Sequence, residues 1–266
     1  MKYIWLETTK DSNIFRDKSL QRELIQKNNP ALGIKFFKIQ YENLILKDIL
    51  SKIKFPFIIK PVNWVLSSWV TKIRTEEEFN KYKISFNQFH NKLLTLKGID
   101  VKELLIEEFI DWDFYSIDYF VDNQGSFILS SPIKWEHGIN IWIDDYFHFS
   151  WTLTSETLKK FESINLNQFI KDTIDACSLK NTFIHHEFKI NSQNELKTIE
   201  LNGRLGWKRL EIYHECYWAN LYEFILWVPF SSIIKSNYIL FSIFSTKEWI
   251  LEWFNHEIIT DIRTNL

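Results

Sequence analysis

Residues 182–210, TFIHHEFKINSQNELKTIELNGRLGWKRL, gather the residue types best suited to holding a charged ligand. The segment reads as a strand ending in the carboxylate of Glu187, a polar turn over 191–195, and a second strand carrying Glu200, Asn202 and Arg204. Residues two apart on a strand share a face, so these last three point one way. A hairpin closed by the turn sets Glu187 beside Glu200. That places two carboxylates, an amide oxygen and a guanidinium on one sheet surface. Hard oxygen ligands of this kind suit Mg2+, which keeps several waters and binds through one or two carboxylates plus substrate phosphates. An arginine alongside is a clamp for a phosphate or carboxylate oxygen. The same charges also fit a plain solvated strand face, and spacing alone leaves the two readings level.

Other elements must bring a ligand to this surface. Residues 16–29, RDKSLQRELIQKNN, have helical character: Leu20, Leu24 and Ile25 share a face, Asp17 caps the start, and Asn28, Asn29 and Pro30 stop it. Lys18 opens that helix; alone it reads as a solvated first-turn lysine. GIKFFKI (33–39) looks like a short strand and LILKDILSKI (44–53) like a helix. FPFIIKPV (55–62) is an apolar strand delivering Lys60 at its end. Burying an unpaired ammonium is costly, so Lys60 must either snorkel or meet an anion. Residues 75–96 form a helix with a capping signal at Thr75 and Glu78. Residues 103–129 read as two strands with a turn at 122–125. Residues 131–151 are irregular and aromatic, with His137 and His148, and suit a substrate-specific loop without forcing a metal site. Helical periodicity returns over 153–181, and 219–226 reads as a further helix.

The string EF followed by TIELNGR resembles the metal-binding signature of the ATP-grasp superfamily, with Glu187, Glu200, Asn202 and Arg204 on the pattern. The resemblance extends over most of the chain. A DK opens the equivalent helix in that family, so Lys18 is the residue implied to reach the nucleotide phosphates. PFIIKP matches the strand whose lysine, here Lys60, contacts them too. NWVLSSWV (63–70) stands where the family has a glycine-rich phosphate-covering loop, with Ser67 and Ser68 on the pattern. IEEFI (106–110) is similar to the hinge whose first acid takes the adenine amino group: Glu107, followed by the backbone of Phe109 and Ile110. In DWDFYSID (111–118), Asp113 is the implied ribose ligand. His185 matches a frequent HxE and is peripheral.

The resemblance implies an α+β fold of the ATP-grasp type, two α+β subdomains clasping a nucleotide between two sheets. Residues 1–16 would be an N-terminal remnant or linker, 17–106 the lid subdomain and 107–266 the large subdomain with the metal site. The usual domain ahead of the grasp is missing from the pattern. The implied activity is an ATP- and Mg2+-dependent (or Mn2+-dependent) ligase joining a carboxylate to an amine, or to a thiol, through an acylphosphate. Lys60 and Arg204 would act on the transferred group. The implied partners are a small carboxylate and an amine, with a separate N-terminal domain or a homodimer completing the protein. Two other classes stay open: a degenerate, non-catalytic nucleotide-binding or interaction module, and a carbohydrate surface built on exposed aromatics.

The tryptophans qualify this. Trp64, Trp69, Trp112 and Trp207 stand where the resembled family has glycine. A phosphate-covering loop uses glycine because its backbone takes positive φ and approaches the ligand closely. The chain has 6 glycines and 12 tryptophans, and together they equal glycine's ordinary share of about 7%. One explanation is a UGA codon read as glycine in the source and as tryptophan in translation. The other is a genuinely altered loop.

Composition bounds the rest. A chain of 266 residues, 45% hydrophobic and 25% charged, is ample for a core. Its 32 basic and 34 acidic residues leave a net charge of −2, which argues against a general nucleic-acid or anionic-membrane binder. Cys177 and Cys216 lack disulfide or zinc spacing. The N-terminus lacks a signal-peptide run and no apolar stretch is long enough to span a bilayer, which together suggest a cytoplasmic protein.

Overall fold

The computed structural model describes residues 12–62, 69–97, 101–137, 149–218, 220–226 and 238–242. Helix α1 (Lys18–Asn28) starts where the Asp17 carboxylate accepts from the backbone N–H of Ser19 at 2.8 Å and of Leu20 at 3.1 Å. It ends at Asn29, because Pro30 disfavours helical backbone in the residue before it. Strands β1 (Phe36–Gln40), β2 (Phe57–Pro61), β3 (Thr71–Ile73) and β4 (Glu103–Glu108) form an antiparallel sheet in the order β1-β4-β2-β3. Helices α2 (Leu46–Leu50) and α3 (Glu76–Lys97) cover one face of it. Phe57, Ile59, Ile73, Leu104 and Ile106 alternate inward from the strands to meet Ile49, Phe79 and Phe86. The residues between them, Lys60, Leu105 and Glu107, are left for the other face.

A second sheet holds β5 (Asp113–Val121), β6 (Phe127–Leu129), β7 (Ile133–His137), β8 (Phe149–Leu153), β9 (Thr182–Ile190), β10 (Leu196–Asn202) and β11 (Tyr238–Ser242). Its order is β10-β9-β5-β7-β8-β11, with β6 paired to β5. Helix α4 (Ser155–Lys159) follows β8, and α5 (Leu166–Cys177) packs behind the sheet. Ile184, Phe188 and Ile190 of β9 join Phe169, Ile170 and Ile174 of α5 in that core. His185, Glu187 and Lys189 therefore face the opposite way. Helix α6 (Arg209–Tyr217) and the 3-10 helix Leu221–Leu226 pack with Trp151, Leu153 and Phe120 on a separate cluster.

Three differences from the sequence reading matter. Residues 103–129 form three strands: β4 closes the first sheet, and the chain crosses at 109–112 to begin β5 in the second. The turn at 122–125 then joins β5 to β6, held by Asp122 Oδ1 accepting from Gln124 and Ser126 N–H groups, both at 2.8 Å. The sequence boundary at 106/107 thus falls inside β4. Helix α1 packs with the core of the second sheet through Ile25, Leu20 and Leu24. Residues 221–226 form a 3-10 rather than an α-helix. Among the described residues no helix is long and apolar enough to cross a membrane.

Candidate active site

The β9–β10 hairpin closes as expected. Asn191 Oδ1 accepts from the N–H groups of Gln193 at 3.0 Å and Glu195 at 2.9 Å, which fixes the turn and with it the register. Leu196 pairs with Ile190, Lys197 with Lys189 and Thr198 with Phe188. Ile199 is an extra residue, a β-bulge, after which Glu200 pairs with Glu187, Leu201 with His186 and Asn202 with His185. The bulge reverses the pleat. Thr198 is fully buried on the core side, 3.1 Å from His186. In an unbroken strand Glu200 would join it there. The extra residue turns Glu200 and Asn202 to the face carrying His185 and Glu187.

Strand β5 extends this surface, pairing Ser116 with Glu187 and Asp118 with His185. The result is two cross-strand rows: Ser116, Glu187, Glu200 and, one pleat along, Asp118, His185, Asn202. His185 stands 3.1 Å from Asp118 and 3.6 Å from Glu187. Asp118 also accepts from Gly206 N–H at 2.7 Å and faces Arg209 at 3.2 Å. Burial pushes the Glu187 carboxyl up, but His185, Lys18 and Lys60 outweigh it and hold it below the ordinary carboxylate range. Burial acts downward on His185, and Asp118 and Glu187 more than offset it, so its affinity for a proton is raised. Lys18 opens α1 and lies 3.3 Å from Glu200. Arg204 departs from the expectation that it shares the strand face. Strand β10 ends at Asn202, and Arg204 sits exposed in the following bend, donating to the Leu205 carbonyl at 2.9 Å.

Across from these rows, Lys60 has met an anion. It is 5% exposed, with Nζ 2.8 Å from Glu107 Oε2. Arg22 Nε donates to the other oxygen of Glu107 at 2.8 Å, and its Nη2 donates to the Ile199 carbonyl at 2.5 Å. Burial would raise the Glu107 carboxyl, but Arg22 and Lys60 hold it below the usual range. Lys60 is lowered by burial, against the pull of Glu107. Beyond Glu107, the Phe109 ring lies under Lys72, 3.3 Å from its centroid, and Lys189 donates to the Ile110 carbonyl at 2.8 Å. Burial lowers Lys189 to about 8. Asp113 departs from the expectation of a ribose ligand: it pairs with Ile190, shares the face of Tyr115 on the side covered by α5, and is exposed and ion-paired with Lys160.

Ser67, Ser68, Trp64 and His148 lie outside the described residues. Trp69 takes the left-handed backbone that glycine favours, at φ +66°. Trp112, half-buried, and Trp207, exposed, do not. Gln21, Arg22, Asp118 and Arg209 were not singled out from sequence. Gln21 and Arg22 fall three and four residues after Lys18, so helical spacing alone would have put them beside it.

Among the described residues no three His, Cys, Asp or Glu side chains cluster closely enough to hold a metal by themselves. The set Glu187, Glu200 and Asn202 is two carboxylates and an amide oxygen, which leaves coordination positions for water and phosphate. That matches the way Mg2+ binds.

Comparison with known proteins bears on the family and the fold. An ATP-grasp domain matches residues 53–209. D-alanine–D-alanine ligase of Staphylococcus epidermidis is 34% identical over 65 residues, 24% of this chain and 18% of that protein. N5-carboxyaminoimidazole synthetase from Staphylococcus aureus, solved complexed with ADP, superposes with a TM-score of 0.63 at 14% identity over 94% of this chain and 61% of that one. L-amino acid ligase from Bacillus licheniformis gives 0.59 at 19% identity over 80% and 49%. The chain thus spans less than two thirds of the length of each of these proteins, and the structural likeness speaks for the fold. With a match over more than half of its residues, the chain belongs to the ATP-grasp family.

Proposed function

We propose that the chain works as an ATP- and Mg2+-dependent ligase (Mn2+ serving equally) that joins a carboxylate to an amine, or to a thiol, through an acylphosphate. The observation that carries this reading is the pairing of Glu187 with Glu200 across β9 and β10, with Asn202 one pleat along and Lys18 3.3 Å from Glu200. Lys60 and Glu107 stand on the other sheet. Oxygen ligands on one wall and ammonium groups beside them suit a metal-bound triphosphate.

In this reading Lys18 and Lys60 hold phosphate oxygens, with Ser67 and Ser68 as further phosphate ligands. The Lys60 ammonium has three donors, so its bond to Glu107 leaves others for phosphate. Glu107 with the backbone of Phe109 and Ile110 takes the adenine. Glu187, Glu200 and Asn202 hold Mg2+, which when bound neutralises phosphate charge. Arg204, exposed in its bend, steadies the transferred phosphoryl group. A substrate carboxylate oxygen attacks the γ-phosphorus and ADP leaves. The amine nitrogen then attacks the acyl carbon, gives up a proton, and inorganic phosphate departs. A separate domain or a second copy of the chain completes the acceptor side.

The test is ADP release from ATP with Mg2+ and a mixture of amino acids. Acceptor-dependent turnover that falls on the order of 100-fold or more in Glu200→Ala supports the ligase. The non-catalytic module has one observation in its favour, the indole of Trp69 stacked on Phe89 where the resembled family has glycine. ATP binding without turnover by any acceptor assigns that reading instead. Absence of ATP binding overturns both.

A further inference from the structure

The bulge at Ile199 needs something to hold it, and the side chain that does so comes from a distant element. A bulged residue leaves its backbone groups out of the ladder. The Ile199 carbonyl accepts instead from Arg22 Nη2 at 2.5 Å. Arg22 is 1% exposed, on α1, and its Nε is committed to Glu107 Oε1 at 2.8 Å. Glu107 in turn grips Lys60 at 2.8 Å. One planar guanidinium thus touches the backbone that aims Glu200 and the carboxylate that anchors Lys60, and these lie on different sheets. Two acceptors on different elements suit the rigid fork of arginine; a lysine ammonium keeps the charge without that fork.

We propose that Arg22 is a positioning residue that couples the two walls of the site, fixing the β10 bulge so that Glu200 and Asn202 face a bound metal only while Glu107 and Lys60 are in place. This rests on the reading of Glu187, Glu200 and Asn202 as metal ligands and adds a residue that touches neither metal nor nucleotide. A lone structural salt bridge would bind Arg22 to Glu107 and leave the bulge to other groups. Here the second bond goes to the one residue whose insertion reverses the pleat.

The coupling is read as a ratio: the Kd of ATP with EDTA divided by its Kd with saturating Mn2+, for wild-type protein, Arg22→Lys and Glu107→Gln, with a thermal melt of each. The ratio cancels adenine and ribose contacts and isolates what the metal adds. Arg22→Lys is expected to reduce it at least tenfold, and Glu107→Gln, which keeps Arg22 but loosens its other end, at least threefold. If Arg22→Lys does not fold, Glu107→Gln alone decides. A lowered melting temperature with a ratio within twofold of wild type would make Arg22 a stability residue only and overturns the proposal. A wild-type ratio near one is a different result, because it removes the metal site itself.

Discussion

Two tryptophans in left-handed backbone have opposite consequences. Trp69, at φ +66°, stacks on Phe89 at 4.3 Å and sets its edge against Phe86 at 5.5 Å. The backbone costs about 1–2 kcal/mol. Truncating a packed Trp costs roughly 3–5 kcal/mol, and even half of that, with the entropy of a new glycine added, exceeds the strain. Trp69→Gly is expected to lower the melting temperature. Trp218 ends α6 at φ +57° and is 73% exposed, so burial offsets less of its strain than at Trp69. Trp218→Gly is expected to stabilise by about 0.5–1 kcal/mol, since glycine is the usual residue at such a helix end. Calorimetry on the pair checks both signs. The codons at 64, 69, 112 and 207, read with an intact mass from the native host, separate UGA from UGG, and position 218 belongs in the same reading. A retained glycine is as informative: a Cβ on Gly206 would lie 2.5 Å from His185 Nδ1, so Gly206→Ala is expected to displace His185 and weaken metal-dependent ATP binding.

At the level of elements, β10 is the outer strand of its sheet, and α1 closes it with side chains. Gln21 Nε2 donates to the Leu201 carbonyl at 2.8 Å, and Leu201 N–H donates to Gln21 Oε1 at 2.9 Å. Gln21→Leu leaves both backbone groups buried without these bonds, at about 1–3 kcal/mol each. Urea denaturation should register that loss, and hydrogen exchange should find the Leu201 amide less protected. Much of this architecture is legible from residues alone: the Asp17 cap, the Pro30 stop, the 191–195 turn and the pairing of Glu187 with Glu200 follow from local chemistry. The bulge does not. Thr198, Glu200 and Asn202 are all polar, so a period of two reads straight through the extra residue. Arg22 was hidden for a related reason, because a charged residue on a helix is normally solvated and only the far side of the fold supplies Glu107. The crossing at 109–112 was missed because strand signals continue on both sides of it.

Over the whole molecule, Arg22, Glu107 and Lys60 form a charge system joining both sheets. Glu107 is held below the ordinary carboxylate range. In the unfolded chain it titrates near about 4.3. Its contribution to stability is therefore present above that pH and is lost as pH falls through the lower folded value. Glu107→Gln is expected to cost roughly 3–5 kcal/mol at neutral pH, since it leaves two buried cations without their counter-charge. The variant should also lose less stability than wild type on acidification, measured by urea midpoints from pH 7 down to pH 3. The two cysteines are governed chiefly by burial. Burial pushes Cys177 and Cys216 up to about 12, so neither should react with an alkylating agent at pH 8 until the protein is unfolded.

The Gln21 clasp also bears on how the protein can be handled. A strand edge stripped of its cover offers a row of unpaired N–H and C=O groups to any other chain, the ordinary route to strand-mediated aggregation. The ATP-grasp match begins at residue 53, after α1. A recombinant fragment cut to residues 53–209 would keep β9, β10 and the side chains of Glu187, Glu200 and Asn202, yet present β10 without the Gln21 bonds. Such a fragment is expected to sediment or self-associate where one beginning ahead of Ile14 stays dispersed. On that expectation, the short helix outside the matched region keeps this chain dispersed by covering β10.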